Sequence, residues 1–305
     1  LTAAIYALRK RLDVLLISKD LGGKTNWRLQ LPDVEHHLVI NGEEVVNRFV
    51  NEIHYLDFAR VIDKVEKIEP IAGGYRVTTR GGKEREHAPR SHDARALIIA
   101  TGTQGRHLEV PGEREYLMRG LCFSAMSYAS LFVDRTGVVV GDAKLALLAA
   151  LELAQIARHV TLVAPTRGEL DTPMGQHLQT LPNVLILEGY QAVQVNGDEY
   201  ARSLVVEKNG DRRELKTDVI FVELGLKPNS EVVAGLVELE PDGRIKIDNN
   251  NRTSAPGIFA AGDVTNVYAE QVLIAIGEGA KAALAAYEYL LAQPVEDHAL
   301  SGEWR

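Results

Sequence analysis

The stretch from 136 to 164 restricts this chain more than any other. TGVVV at 136–140 is a short buried strand, 144–157 carries the Ala- and Leu-rich pattern of a helix, and HVTLVA at 159–164 is a second buried strand. Continuous apolar strands are covered on both faces, and a helix between two of them returns the chain to start the second alongside the first. The stretch is a complete βαβ unit and commits its part of the chain to α/β construction. Gly141 follows the first strand, where such units turn tightly into the helix.

The same alternation runs through the rest of the sequence. Residues 3–10 read as helix, DVLLIS at 13–18 as a buried strand, and 42–58 as a helix with Val45, Val46, Phe49, Ile53 and Leu56 along one side. Residues 61–69 and 74–79 read as strands of a small antiparallel piece, and RALIIA at 95–100 as another buried strand. Strands continue at 183–188, 191–195, 203–208 and 218–223, and an Ala-rich helix spans 269–291.

At 305 residues there is room for one large domain or two ordinary ones. A net charge of −8 argues against a nucleic-acid or anionic-membrane surface. No apolar run approaches the ~20 residues of a membrane span. The apolar opening from Leu1 to Leu8 lacks the basic flank and cleavage site of a signal peptide. Cys122 is the one cysteine, so these residues hold no intrachain disulfide, CxxC pair or cysteine-based metal site. A cytoplasmic location is the expectation.

TSAPGIFAAGDV at 253–264 ends a buried strand in Gly262-Asp263, ahead of the long helix. An aspartate there can accept a hydroxyl hydrogen bond, and glycine lets a ligand approach the backbone. An ordinary strand–turn–helix would also account for it. The run closely resembles the C-terminal FAD motif of thioredoxin reductases and their relatives. That resemblance implies that Asp263 holds the ribityl chain of FAD, and that the backbone near Gln271 and Val272 faces the flavin from a helix N-terminus. The family's Arg-Gln pair reads Glu270-Gln271 here. A helix N-terminus at that point stabilises negative charge on a reduced flavin.

Other matches follow in the family's order. Ala100-Thr101-Gly102, with Leu108-Glu109-Val110-Pro111-Gly112-Glu113 after it, looks like the crossing between FAD and pyridine-nucleotide domains. Gly225-Leu226-Lys227-Pro228-Asn229 looks like the G-x-x-P-N turn that ends the second domain, and Gly22-Gly23-Lys24 sits where the family carries Gly-Gly-Gln near the flavin. The resemblance implies two Rossmann-like, three-layer ββα domains and a homodimer. The FAD domain is discontinuous, 1–112 and 240–305, with an inserted NAD(P)-type domain at 113–239. In relatives a strand and G-x-G-x-x-G precede the segment matched by residues 1–6. The sequence is therefore expected to be a piece of a longer chain, short of roughly a dozen or more residues of its first βα unit.

Two departures bear on chemistry. Aligning Arg119-Gly120-Leu121 puts Ser124-Ala125-Met126-Ser127-Tyr128 on the family's Cys-Ala-Thr-Cys-Asp. Serine forms no disulfide and is scarcely ionised at neutral pH, whereas a free thiol has a pKa of roughly 8.5. Ser124 and Ser127 are thus degenerate dithiol positions, and Tyr128 stands where the family has an acid, as a candidate proton donor. Simple filling is the other reading of all three, and a small buried residue is the favoured reading of Cys122. The second departure is Val140-Gly141-Asp142-Ala143-Lys144-Leu145-Ala146, in place of the G-x-G-x-x-A nucleotide loop. Gly141 and Ala146 remain, but the Ala143 methyl pushes a pyrophosphate away, and Asp142 adds negative charge. Of Ala164-Pro165-Thr166-Arg167, only Arg167 could meet a 2′-phosphate. Ordinary NAD(P)H binding is therefore not expected; binding through other side chains is the alternative.

Asp33, Glu35, His36 and His37 read as a solvated loop rather than metal ligands, since neighbouring side chains point different ways. Trp27 could stack on the flavin or simply pack. Trp304 could cover the flavin of a partner subunit, as aromatic tails do in thioredoxin-reductase-like ferredoxin–NADP reductases, but a frayed tail is the favoured reading. The expected function is an FAD-dependent oxidoreductase without its own dithiol. It would pass electrons through flavin from NAD(P)H or a protein donor to an external acceptor such as ferredoxin or another redox protein, a quinone or a small oxidant. The alternative is a non-catalytic flavoprotein, a redox sensor or partner-binding module.

Overall fold

The computed structural model describes residues 1–26, 29–31, 59–81, 88–123 and 125–293. They fall into two compact units. The first comprises 1–26, 42–103 and 228–305, and the second 27–41 and 104–227.

In the first unit, helix α1 (Thr2–Arg9) leads into strand β1 (Leu16–Ser18), which pairs in parallel with β2 (Arg60–Ile62). β3 (Val65–Ile71), β4 (Gly74–Thr79) and β5 (Ser91–Ala94) form an antiparallel sheet. β6 (Leu97–Ile99) begins a second parallel pair, which is completed near the end of the chain. The single strand expected over 61–69 is thus two. Asp63 makes the break: its amide donates to the Ser18 carbonyl and its carboxylate accepts from the amides of Lys64 and Gly81.

The second unit carries α2 (Glu113–Tyr116), β7 (Leu121–Cys122), α3 (Ala125–Tyr128), β8 (Thr136–Val140), α4 (Lys144–Ala154), β9 (His159–Ala164), α5 (Pro173–Thr180) and β10 (Val184–Glu188). Then come β11 (Gln191–Gly197), β12 (Ala201–Lys208), β13 (Asp211–Lys216) and β14 (Val219–Val222). Five strands make an all-parallel sheet in the order β10-β9-β8-β14-β7, and β11-β12-β13 make an antiparallel one.

The side chains of the parallel strands alternate between two cores. Cys122, Val139, Leu162 and Phe221 join Leu147 and Leu153 of α4 in one. Leu121, Val138, Val140, Val163, Ile220 and Val222 join Leu204 and Val206 of β12 in the other. The parallel sheet therefore lies between helices and a second sheet, which is the three-layer ββα arrangement. Helix α4 ends three residues earlier than its apolar pattern, and Asn183 donates to the Ala154 and Ala157 carbonyls released there.

The first unit closes with β15 (Ile258–Ala260), parallel to β6, and the 21-residue helix α6 (Val272–Ala292). The buried face of α6 is Gly279, Ala282, Ala283, Ala285 and Ala286. Small residues let α1 approach closely: a Cβ on Gly279 would lie 3.3 Å from the Thr2 Cβ and 3.4 Å from the Ala3 nitrogen.

Candidate functional site

In the first unit three separate segments meet at one side chain. Gly22 and Gly23 have positive φ and open a single 3₁₀ turn over Gly23–Asn26. Asp20 accepts from the Gly23 amide at 2.9 Å, the Gly22 carbonyl accepts from the Thr25 hydroxyl at 2.7 Å, and the Leu21 carbonyl accepts from the Asn26 side chain at 2.7 Å. This turn holds Lys24, whose ammonium donates to the Thr103 hydroxyl at 2.8 Å and lies 2.6 Å from Asp263 Oδ2. The Asp263 side chain is 15% exposed and that of Lys24 38%, so the carboxylate is largely out of water while the ammonium stays in contact with it.

The Thr101-Gly102 segment is locked separately. The Thr101 hydroxyl donates to the Asn229 carbonyl at 2.6 Å, the Asn229 side chain donates to the Thr101 carbonyl at 2.9 Å, and the Asn229 amide donates to the Gly102 carbonyl at 2.9 Å. Gly102 sits at φ +66°, and a Cβ there would meet no atom within 4 Å. The bonds thus hold a left-handed residue beside open space, where glycine lets a ligand approach the backbone. Gly262, at φ +75°, turns the end of β15 into a short 3₁₀ helix that presents Asp263.

Gln271 caps α6 through its backbone, with no side-chain bond to the first turn and no acidic residue there. The unpaired amides of a long helix favour negative charge at this end. Val272 and Leu273 are exposed beside it. Glu270 pairs with Arg244, which also faces Asp242.

The second unit places the remaining candidates along the carboxyl ends of its parallel strands. β8 and β14 are neighbours where the strand order reverses, the usual ligand crevice of such sheets. Gly141, at the end of β8, is pressed there, since a Cβ would lie 2.3 Å from the Glu223 carbonyl oxygen and 2.8 Å from the Ala146 Cβ. Ala143 caps α4 without a side-chain bond. Asp142 is turned onto the 166–169 loop: its carboxylate accepts from the Thr166 amide at 2.9 Å and hydroxyl at 2.6 Å, and its carbonyl accepts from the Glu169 amide at 2.8 Å. Arg167 pairs with Asp171 and, at 2.7 Å, with Glu188. These hydrogen bonds push the guanidinium pKa upward and hold the Asp171 carboxyl below its usual range. A 2′-phosphate would have to displace both carboxylates.

In the 125–128 segment, where a dithiol is expected to be replaced, the Glu223 carboxylate accepts from the Ala125 amide at 2.8 Å and so caps α3. Ser127 is exposed, and Tyr128 is half-buried against the core that holds Cys122. Burial first, and proximity to Cys122 second, raise the Tyr128 pKa, while a hydrogen bond with the Leu29 backbone opposes them. Tyr128 is a neutral phenol at ordinary pH and a weak acid.

Glu113, expected only as the end of a crossing motif, is 2% exposed. Its carboxylate accepts from the Leu108 and Glu109 amides, both at 2.8 Å, and closes the 107–113 loop beside His107. Ser124, Trp27, Asp33, Glu35, His36, His37 and Trp304 lie outside the described residues. Thr103 escaped the sequence reading, because nothing in its neighbours marks it as the acceptor of a lysine from a distant turn.

The pattern that defines the pyridine nucleotide-disulphide oxidoreductases matches residues 1–279. The chain belongs to that family. These are flavin-dependent oxidoreductases, and solved relatives share the fold. The thioredoxin reductase of Streptococcus pyogenes matches with a TM-score of 0.83 at 28% identity, covering 96% of this chain and 94% of that one. The Giardia duodenalis thioredoxin reductase matches with a TM-score of 0.81 at 26% identity, covering 95% and 94%. In sequence, an alkyl hydroperoxide reductase component of Pseudomonas aeruginosa is 34% identical over 294 residues, 95% of this chain and 56% of the relative. The chain thus spans about half the length of that relative.

The first unit's residues fit FAD on chemical grounds. Open backbone at Gly102, a carboxylate on a glycine turn and a helix whose first turn holds no acid, with the neighbouring Glu270 paired to Arg244 and apolar side chains beside it, suit a polyhydroxyl chain and a planar ring that gains negative charge. Among the described residues no helix is long and apolar enough to cross a membrane, and no His/Cys/Asp/Glu group could hold a metal ion.

Proposed function

We propose that the chain is the flavin-bearing part of an oxidoreductase that hands electrons from its FAD directly to an external acceptor, a redox protein or a small oxidant, without a dithiol of its own. FAD, when bound, supplies the two-electron carrier. The first unit is its domain: Asp263 takes a ribityl hydroxyl, Gly22, Gly23, Thr101 and Gly102 give close backbone approach, and Gln271 and Val272 present the start of α6 to the ring. The second unit is the pyridine-nucleotide-type domain, with its boundaries at the two chain crossings. The observation that carries this reading is the convergence of three flavin-motif segments on Lys24, one of them through Asp263.

The contacts of Asp142 and Arg167 within the second unit favour a protein electron donor over NAD(P)H. The exposed Leu273, Leu284 and Leu291, along one face of α6, support association with a second copy. Anaerobic titration of the full-length flavoprotein tests the scheme. Bleaching by reduced ferredoxin but not by NADH or NADPH is the expected result, and rapid bleaching by either nucleotide restores the nicotinamide route. A flavin that no donor reduces makes the protein a non-catalytic flavoprotein.

A further inference from the structure

We infer that Lys24 is a positioning residue for the flavin site, and that its charge sets how strongly the site prefers reduced over oxidised flavin. The inference rests on the FAD reading of the first unit. Lys24 belongs to one FAD-facing segment and reaches the other two, through Thr103 next to Gly102 and through Asp263 next to Gly262. Its own turn is fixed by Asp20, Thr25 and Asn26, so the ammonium is delivered rather than free to wander. Thr103 is 4% exposed, and the lysine side chain itself is 38% exposed. Holding Oδ2 of Asp263 leaves the other carboxylate oxygen to accept a hydroxyl.

The electrostatic part follows from charge balance. Oxidised flavin has a neutral ring. Adding two electrons and one proton leaves the ring with one negative charge. The lysine cation favours that product, and the Asp263 carboxylate disfavours it. Side by side the two largely cancel. Removing Lys24 leaves an uncompensated anion, whereas neutralising Asp263 leaves an uncompensated cation. The two substitutions should therefore move the flavin potential in opposite directions.

The test uses the full chain, stripped of flavin and titrated with FAD while its fluorescence is followed, together with dye-equilibrated midpoint potentials. Lys24→Met should weaken FAD binding about tenfold, because the Asp263 carboxylate that takes the ribityl hydroxyl loses the charge-assisted contact that holds it in place. Lys24→Arg should restore most of the affinity. The midpoint should fall in Lys24→Met, rise in Asp263→Asn, and lie between them in the double variant. Potential shifts of the same sign in the two single variants, or FAD affinity unchanged in Lys24→Met, would overturn the inference. If Lys24→Met fails to fold, Lys24→Gln must show the fall in midpoint, and an unchanged midpoint there overturns the inference equally. A wild-type chain that binds no FAD removes the flavin reading itself, and this inference with it. Normal wild-type binding with indifferent Lys24 variants removes the inference alone.

Discussion

Asn229 and Thr101 hold each other by two reciprocal hydrogen bonds, the Thr101 hydroxyl giving one to the Asn229 carbonyl and the Asn229 side chain giving one to the Thr101 carbonyl. Two sequence motifs that look independent are thus halves of one clasp. What the clasp secures is the left-handed backbone of Gly102, with open space beside it. Gly102→Ala separates fold from function. The added methyl clashes with nothing, so the stability cost is the backbone strain alone, about 1–2 kcal/mol. It fills the space given to the cofactor, so FAD affinity should drop by far more than stability does. Urea unfolding without FAD and fluorescence titration with it read the two effects apart. Equal affinity in wild type and variant would remove this backbone from the flavin site.

The clasp itself is worth less than a buried bond, because its side-chain groups reach the surface. Asn229→Ala should cost about 1 kcal/mol, read from the urea midpoint.

Arg167 is held by two exposed carboxylates. Replacing both, as Asp171→Asn with Glu188→Gln, should free the guanidinium and improve NADPH relative to NADH. Water screens exposed pairs, so the gain in the NADPH-to-NADH ratio should not exceed roughly tenfold. Competition binding with 2′-phosphorylated and plain adenosine nucleotides measures it. No change in the ratio would mean that Arg167 does not face the adenosine ribose.

Glu113 serves two backbone amides from inside the second unit. Glu113→Ala leaves both without an acceptor and should cost about 3 kcal/mol. Glu113→Gln keeps one acceptor oxygen and should cost clearly less. Thermal unfolding of the three proteins gives the order.

Tyr128 predicts an alkaline limb in stability. Its folded pKa is raised above the unfolded value of about 10. The folded state therefore keeps a proton that the unfolded chain gives up, and stability falls as pH rises from about 10 through the folded value. Tyr128→Phe should make that limb shallower, leaving the part due to Tyr75 and Tyr190, whose pKa values are also raised, with stability followed by urea unfolding between about pH 8 and pH 11. Asp93, Asp134 and Asp171 act in the other direction. Their arginine partners lower their pKa, so their contributions are present at neutral pH and fade as pH falls below about 4.

The βαβ core was legible because its strands are apolar on both faces, and β8 and β9 start and stop where the sequence says. β5 (SHDA) and β13 (DRRELK) were not, since neither has an apolar face and both owe their form to pairing with β4 and β12. α5 hides for a similar reason: its eight residues, half of them polar, follow Thr172, whose hydroxyl caps the helix ahead of Pro173. At the site, a motif can nominate Asp263, Gly102 or Asn229, but only the folded chain pairs Lys24 with Asp263 and turns Asp142 onto the 166–169 loop. Those contacts join residues far apart in sequence, and no local pattern encodes them.

The close crossing at Gly279 has a wider consequence. On the proposed reading α6 opens at the flavin ring, and the contact of Gly279 with Thr2 and Ala3 sets how closely that helix seats on α1. A larger side chain at 279 would push the two helices apart and carry Gln271 and Val272 with it, altering the ring's support from several turns away without touching a residue of the site.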